Sequence, residues 1–304
     1  MDLVSDAISA VRVGRPSSTR LRVGGSWCAR LDAYEGAGFH VVLEGSCWML
    51  TDGGTALALD TGDAVLLPHG SGHVIADRPA SPATLARAVD FTAWAGTATD
   101  SNSPTGKGTT ELLCGKYRLD RNHTHPLMAD LPDVVHLSGR DARHDELRAA
   151  IALLGHEVDS THPGSAIALP SLLDLLLVYL VRAWMADSTT SRWPAALHDP
   201  VVATALHALH EDPAAAWSNQ RLAARVGVSR ATLARRFTAL VGRAPMAYLT
   251  WWRLTRAAVL LRTTPDALGA IAARVGYSTP YALSHAFSRQ YGTTPGRYRA
   301  GLTA

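Results

Sequence analysis

The sequence predicts a multidomain α+β chain: a β-barrel or sandwich with helices after it, then an all-α C-terminal domain that uses one helix-turn-helix unit twice. Three observations carry this. Between about 20 and 138, short β-prone runs such as HVVLE, CWML, AVLLP, HVIA and DVVHL are punctuated by Gly, Pro and Asp. From about Asp141 the apolar spacing becomes helical, as in DARHDELRAAIALLGHEV. Near the C-terminus LAARVGVSRATLARRF, from Leu222, returns as IAARVGYSTPYALSHAF from Ile271.

These features divide the chain into a β-domain at 1–138, a helical dimerisation segment at 139–187, a linker at 188–199 and the duplicated domain at 200–304. The Gly-, Ser- and Thr-rich stretch 96–110 has little to bury and predicts a surface loop. Leu169, Leu172, Leu176, Tyr179 and Ala183 follow a 3-4 rhythm, and Leu173, Leu177, Leu180 and Trp184 widen the stripe. A core helix and a seam with a second subunit both satisfy that pattern. Asp174 and Arg182 interrupt the run, which argues for a buried helix and against a membrane span. The segment 186–200 has the small, polar and proline content of an interdomain linker.

A length of 304 residues, 47% hydrophobic with 18% charged, suits a folded chain of two domains. The net charge of +3 hides a split. From Pro200 onward thirteen Arg and no Lys stand against Glu211, Asp212 and Asp266, a balance of +10, which leaves −7 for the remainder. A cationic tail of this kind points to a polyanion, and to nucleic acid first. Cys28, Cys47 and Cys114 are too few and too irregularly spaced for a disulfide framework or a cysteine zinc module. With an N-terminus that lacks an apolar export signal, they place the chain in the cytoplasm.

Within each copy a short helix (222–226; 271–275) meets a glycine suited to a left-handed turn. A second helix follows, capped by Ser229 or Thr279. Helix, glycine turn and capped helix form the helix-turn-helix plan, whose second helix lies in the major groove. With Leu233, Phe237 and Leu240 buried, Ala231, Arg235 and Thr238 face out, flanked by Arg230, Thr232 and Ala234; in the second copy Tyr281, Ser284, His285 and Ser288 do so. Arg235 is the foremost base reader, because a guanidinium bonds both O6 and N7 of guanine. Arg236 and Arg289 lie toward the flanks as phosphate contacts. A helix from Pro245 to Arg262 joins the units and sets their spacing.

At RLTRAAVLL (253–261), IAARVGYSTPYALSHAFSRQYGTTPGRYR (271–299) and the upstream copy, the chain resembles the AraC/XylS family of bacterial transcription regulators. Gly62, Pro68, Gly70 and His73 in GDAVLLPHGSGHVIAD (62–77) resemble the second motif of cupin β-barrels, and HVVLEG (40–45) resembles the strand before the first. With LLCGKYRLDRNHTHPLMADLPDVVHL (112–137), they resemble the cupin sensor domains of one AraC/XylS subgroup. The resemblance implies a homodimeric regulator that binds double-stranded DNA, senses a small molecule, metal or oxidant, and meets RNA polymerase if it activates.

The first cupin motif is degraded: residues 25–45 hold only His40, and the one H-x-H, His123 and His125, comes late. His40 and His73, aided by Cys114, are candidate effector or metal ligands; hydrogen-bonded barrel histidines beside an inert cysteine are the alternative. The cofactor is otherwise unspecified. Substrate turnover is not expected, although a metal-dependent cupin enzyme and an effector-free architectural DNA-binding protein are the other readings.

Overall fold

A computed structural model describes residues 2–79, 81–98, 109–119, 125–158, 162–188 and 191–301. The chain opens with α1 (Leu3–Val11), whose Leu3, Val4, Ala7, Ile8 and Val11 form a buried stripe. The β-domain then runs through β1 (Ser17–Val23), β2 (Cys28–Leu31), β3 (Ala37–Glu44), β4 (Ser46–Thr51), β5 (Ala56–Asp60), β6 (Ala64–Leu67) and β7 (His73–Ala76). Helix α2 (Pro82–Leu85), β8 (Val89–Asp90), α3 (Phe91–Ala98), β9 (Thr110–Tyr117), α4 (Pro126–Ala129) and β10 (Val135–Leu137) follow.

Two five-stranded sheets result, ordered β1-β9-β3-β6-β10 and β5-β4-β7-β2-β8, antiparallel except for the short β2–β8 pair. Alternation along the strands sends Leu21, Val42, Val65, Leu112 and Cys114 from one sheet, and Cys47, Met49, Leu59 and Ile75 from the other, into one core. Trp27 stacks on Trp94 at its edge, 5.2 Å between centroids. The β-rich N-terminal part of the fold class is thus present. Of the loop expected at 96–110, positions 99–108 lie outside the described residues, and its ends belong to α3 and β9.

A 3-10 turn (Ala142–His144) leads into α5 (Asp145–Glu157) and α6 (Ser165–Asp187). By length and composition α6 could cross a membrane, with a mean hydropathy of 1.8. It packs instead against α5, with Leu173, Leu176, Leu177, Leu180, Val181 and Trp184 buried, and Asp174 pairs with Arg12 at 2.6 Å.

The C-terminal part is all helical: α7 (Arg192–His198), α8 (Pro200–Glu211), α9 (Asn219–Arg225), α10 (Arg230–Val241), α11 (Pro245–Thr263), α12 (Leu268–Val275), α13 (Pro280–Tyr291) and α14 (Pro295–Ala300). The division into compact units differs from the expected one. Met1–Val11, Asn122–Asp130 and Ser188–Ala304 form the helical unit, and Arg12–Arg121 with Leu131–Asp187 form the barrel unit. Helix α1 therefore packs on α4, α8 and α11, and its place in a 1–138 domain is corrected.

The linker over 188–199 is corrected too, because α7 occupies most of it. Trp193 is fully buried there, and its backbone N–H donates to Asp130 at 2.9 Å. The helix rests on α10. Burial of Trp193, Pro194 and Ala196 seats this segment on its neighbours, where composition alone suggests a tether.

Candidate functional site

Both helix-turn-helix units close by the same hydrogen bonds. The backbone N–H groups of Val228 and Tyr277 donate to Ala223 and Ala272, at 3.1 and 2.8 Å. Between the helices stand Gly227, at φ +70°, and Gly276, at φ +85°, in the left-handed region that side chains disfavour. Ser229 Oγ then accepts from the N–H of Thr232 at 3.1 Å, and Thr279 Oγ1 from that of Ala282 at 3.0 Å, capping α10 and α13. Leu233 and Phe237, and Leu283 and Phe287, turn one face of each helix into its own core. In the first copy Val241 completes that face where Leu240 was expected; Leu240 is half-buried.

The opposite faces are open. Arg230, Arg235 and Thr238 are exposed on α10, as are Tyr281, His285 and Arg289 on α13; Thr232, Ser284 and Ser288 are half-buried. Thr232 is also engaged by the capping residue, whose Oγ lies 3.0 Å from its hydroxyl. Arg236, expected as a phosphate contact, donates to Asp199 at 2.7 Å, fastening α10 to the residue that caps α8. A charge already paired within the protein has less to offer a phosphate. Sequence reasoning passed over the exposed Arg221 and Arg225 of α9, although the +10 balance signals cations outside the second helices.

In the barrel, register makes His40 of β3 and Cys114 of β9 direct neighbours, and His73 reaches them from the other sheet. His40 Nε2 lies 2.7 Å from His73 Nε2, and His40 Nδ1 lies 3.0 Å from Cys114 Sγ. Proton positions follow by elimination. The carbonyl of Ser71, 2.9 Å from His73 Nδ1, can only accept, so that nitrogen carries the hydrogen. Burial holds both imidazoles below 6.5 and neutral, so His40 Nε2–H donates to His73 and the Cys114 thiol donates to His40 Nδ1. The sequence-predicted trio therefore comes together as a relay of hydrogen bonds. His40 sets its two nitrogens against different neighbours, Nε2 toward His73 and Nδ1 toward Cys114.

His40, His73 and Cys114 line a cavity of about 440 Å³ together with Ser18, Arg30 and Lys116. The Ser18 hydroxyl is buried there with no hydrogen-bond partner. Burial raises all three thiols, Cys47 to about 12, which keeps them protonated. His125 belongs to the helical unit, where its ring lies 5.1 and 5.2 Å from those of Trp193 and Trp251; His123 lies outside the described residues. Asp141, His144 and Asp187 also bring possible metal donors together, but Arg143 already bridges the two carboxylates.

Of the expected dimerisation residues, Leu176 and Ala183 are buried within the chain, and Leu169, Leu172 and Tyr179 are half-buried. Among the described residues, the exposed large apolar side chains of these helices are Leu153, Ile167 and Leu175 instead. A helix apolar all round does not reveal in sequence which face its own domain covers.

Comparison with known proteins agrees with both halves. Residues 2–186 match the cupin family, and residues 222–301 match a helix-turn-helix domain family. A Streptomyces antibioticus protein described as a candidate AraC-like transcription regulator is 34% identical over 98% of each chain. The HTH-type transcriptional regulator MtrA of Neisseria gonorrhoeae is 27% identical, again over 98% of each. Among solved structures, the DNA-binding domain of AdpA, a global transcriptional factor crystallised with a target DNA, is 37% identical. It covers 34% of this chain and 92% of that domain, with a TM-score of 0.32.

Proposed function

The chain belongs to the AraC-like transcription regulators that carry a cupin domain ahead of a helix-turn-helix domain, and on that premise we propose how its two halves divide the work. Helices α10 and α13 enter successive major grooves of one operator. Arg235 reads guanine, Arg230, Thr238, Ser284, His285 and Ser288 supply further contacts, and Arg289 and Arg225 hold phosphates. The barrel cavity binds a small-molecule effector. Occupancy of that cavity changes DNA affinity through the covalently continuous segments that run between the two units.

The observation that carries this reading is the pair of capped second helices, each with one face locked into its core and the other open, lined by exposed Arg230, Arg235 and Thr238 on α10 and by Tyr281, His285 and Arg289 on α13. For the cavity, the unpartnered Ser18 hydroxyl and a volume of about 440 Å³ favour a small organic ligand. The relay geometry and the raised thiols weigh against a metal or a thiolate oxidant sensor. A protein of this type works in the cytoplasm, where the chromosome lies. It pairs through the exposed Leu153, Ile167 and Leu175, contacts RNA polymerase if it activates, and turns over no substrate.

Titrating the full chain against operator and random duplexes over a range of salt tests the DNA reading. Binding should weaken steeply with salt, and Arg235→Ala should cost operator affinity about 10-fold or more while sparing random DNA. Equal losses on both duplexes would demote Arg235 to a backbone contact, and salt-insensitive retention would remove the reading. For the cavity, thermal shifts of the full chain with metabolites should vanish in a Ser18→Ala variant.

A further inference from the structure

The two recognition helices share one plan but present different chemistry. Ala231 of α10 corresponds to Tyr281 of α13, Arg235 to His285 and Thr238 to Ser288. Where α10 offers a methyl group, α13 offers a ring that is 81% exposed, the most exposed of the large apolar side chains among the described residues. Tyr281 sits in the first turn of α13, directly after Pro280, and the first turn of a recognition helix comes nearest the base edges.

Its direction is fixed. Leu283 and Phe287, both fully buried, anchor the other side of α13. At 100° per residue Tyr281 lies about 160° from Leu283 and about 120° from Phe287, while His285 lies only about 40° from Tyr281. The ring and the imidazole thus share one outward face. A phenol ring held in the major groove meets donors or acceptors on every base edge, and thymine alone adds an apolar group there, its C5-methyl.

We infer that Tyr281 reads thymine by packing its ring on the C5-methyl group. The operator is then bipartite in chemistry, a thymine-dependent half under α13 beside the guanine-dependent half under α10. This rests on the DNA-binding reading above and adds the identity of a base to it.

The test replaces each thymine of a duplex selected by the full chain from a random pool with deoxyuridine, which lacks only the methyl group. One replacement should weaken wild-type binding by about fourfold, the effect of one buried methyl-sized group. The same replacement should change binding of Tyr281→Ala little, and Tyr281→Phe should keep the wild-type sensitivity because the contact is apolar. Substitution at so exposed a position should leave the circular dichroism and Tm unchanged. Identical sensitivity of wild type and Tyr281→Ala at every thymine would overturn the inference and leave the DNA-binding reading standing. Selection of no duplex at all would remove both.

Discussion

Asp6 and His210, 204 residues apart in sequence, share a hydrogen bond of 2.9 Å inside the helical unit. The carboxylate accepts from Nδ1–H, and on the other side of the ring the Tyr248 hydroxyl lies 2.7 Å from Nε2. Burial keeps His210 below its ordinary range and therefore neutral, so the donor on Nδ1 needs the carboxylate. Asp6→Ala leaves a fully buried N–H without an acceptor and should cost about 1–3 kcal/mol in urea unfolding. An unchanged midpoint would mean that α1 is only an accessory to the helical unit.

Four of the buried histidines set the pH response. His40, His73, His125 and His210 are all held below the ordinary value of 6.5, with burial as the first cause. A depressed imidazole stabilises the fold fully above pH 6.5. As pH falls below that value the unfolded chain takes up protons that the folded one refuses, and stability drops until the folded groups protonate in turn. Each can remove up to about 1.4 kcal/mol per pH unit in that window. Tm should be flat from pH 8 to 7 and fall steadily below 6.5; a rise on acidification would contradict the neutral relay and the neutral aromatic cluster.

The two turn glycines give a matched comparison. A Cβ at Gly227 would meet nothing within 4 Å, whereas one at Gly276 would lie 2.7 Å from Ala214 Cα and 2.9 Å from the Arg253 guanidinium. Gly227→Ala should therefore cost only the left-handed backbone penalty, about 1–2 kcal/mol. Gly276→Ala adds a clash worth about 1–3 kcal/mol more. Thermal unfolding of the pair checks the order, and equal losses would show that the second turn relaxes freely.

Arg236 should behave as a fastening and not as a phosphate contact. Arg236→Ala should lower stability by about 1 kcal/mol or less, since the pair is part-exposed, and leave the salt dependence of DNA binding as in wild type. A double-mutant cycle with Asp199→Ala isolates the ion pair from the capping role of Asp199. A shallower salt slope in the Arg236 variant would return it to the DNA surface.

Much of this was legible in the residues themselves. Turn glycines, Ser229 and Thr279 act within a few residues of where they stand, so the duplicated unit can be read locally, and alternating runs reveal a barrel for the same reason. The bond between Asp6 and His210, the seat of Trp193 and the pairing of Arg236 with Asp199 depend on distant partners and leave no periodic trace. Proximity of His40 to His73 was foreshadowed by the cupin-like spacing. The direction of each proton was not, because it hangs on the carbonyl of Ser71.

Because α1 and the stretch around His125 belong with the helices that follow Ser188, the part that grips DNA is not a cassette cut from the end of the chain. A chimera joined at that point would inherit α8 and α11 stripped of the cover that α1 gives them. Exchanging sensors between relatives would therefore require the opening helix and the 122–130 excursion to travel with the C-terminal helices, as three pieces spliced around a foreign barrel.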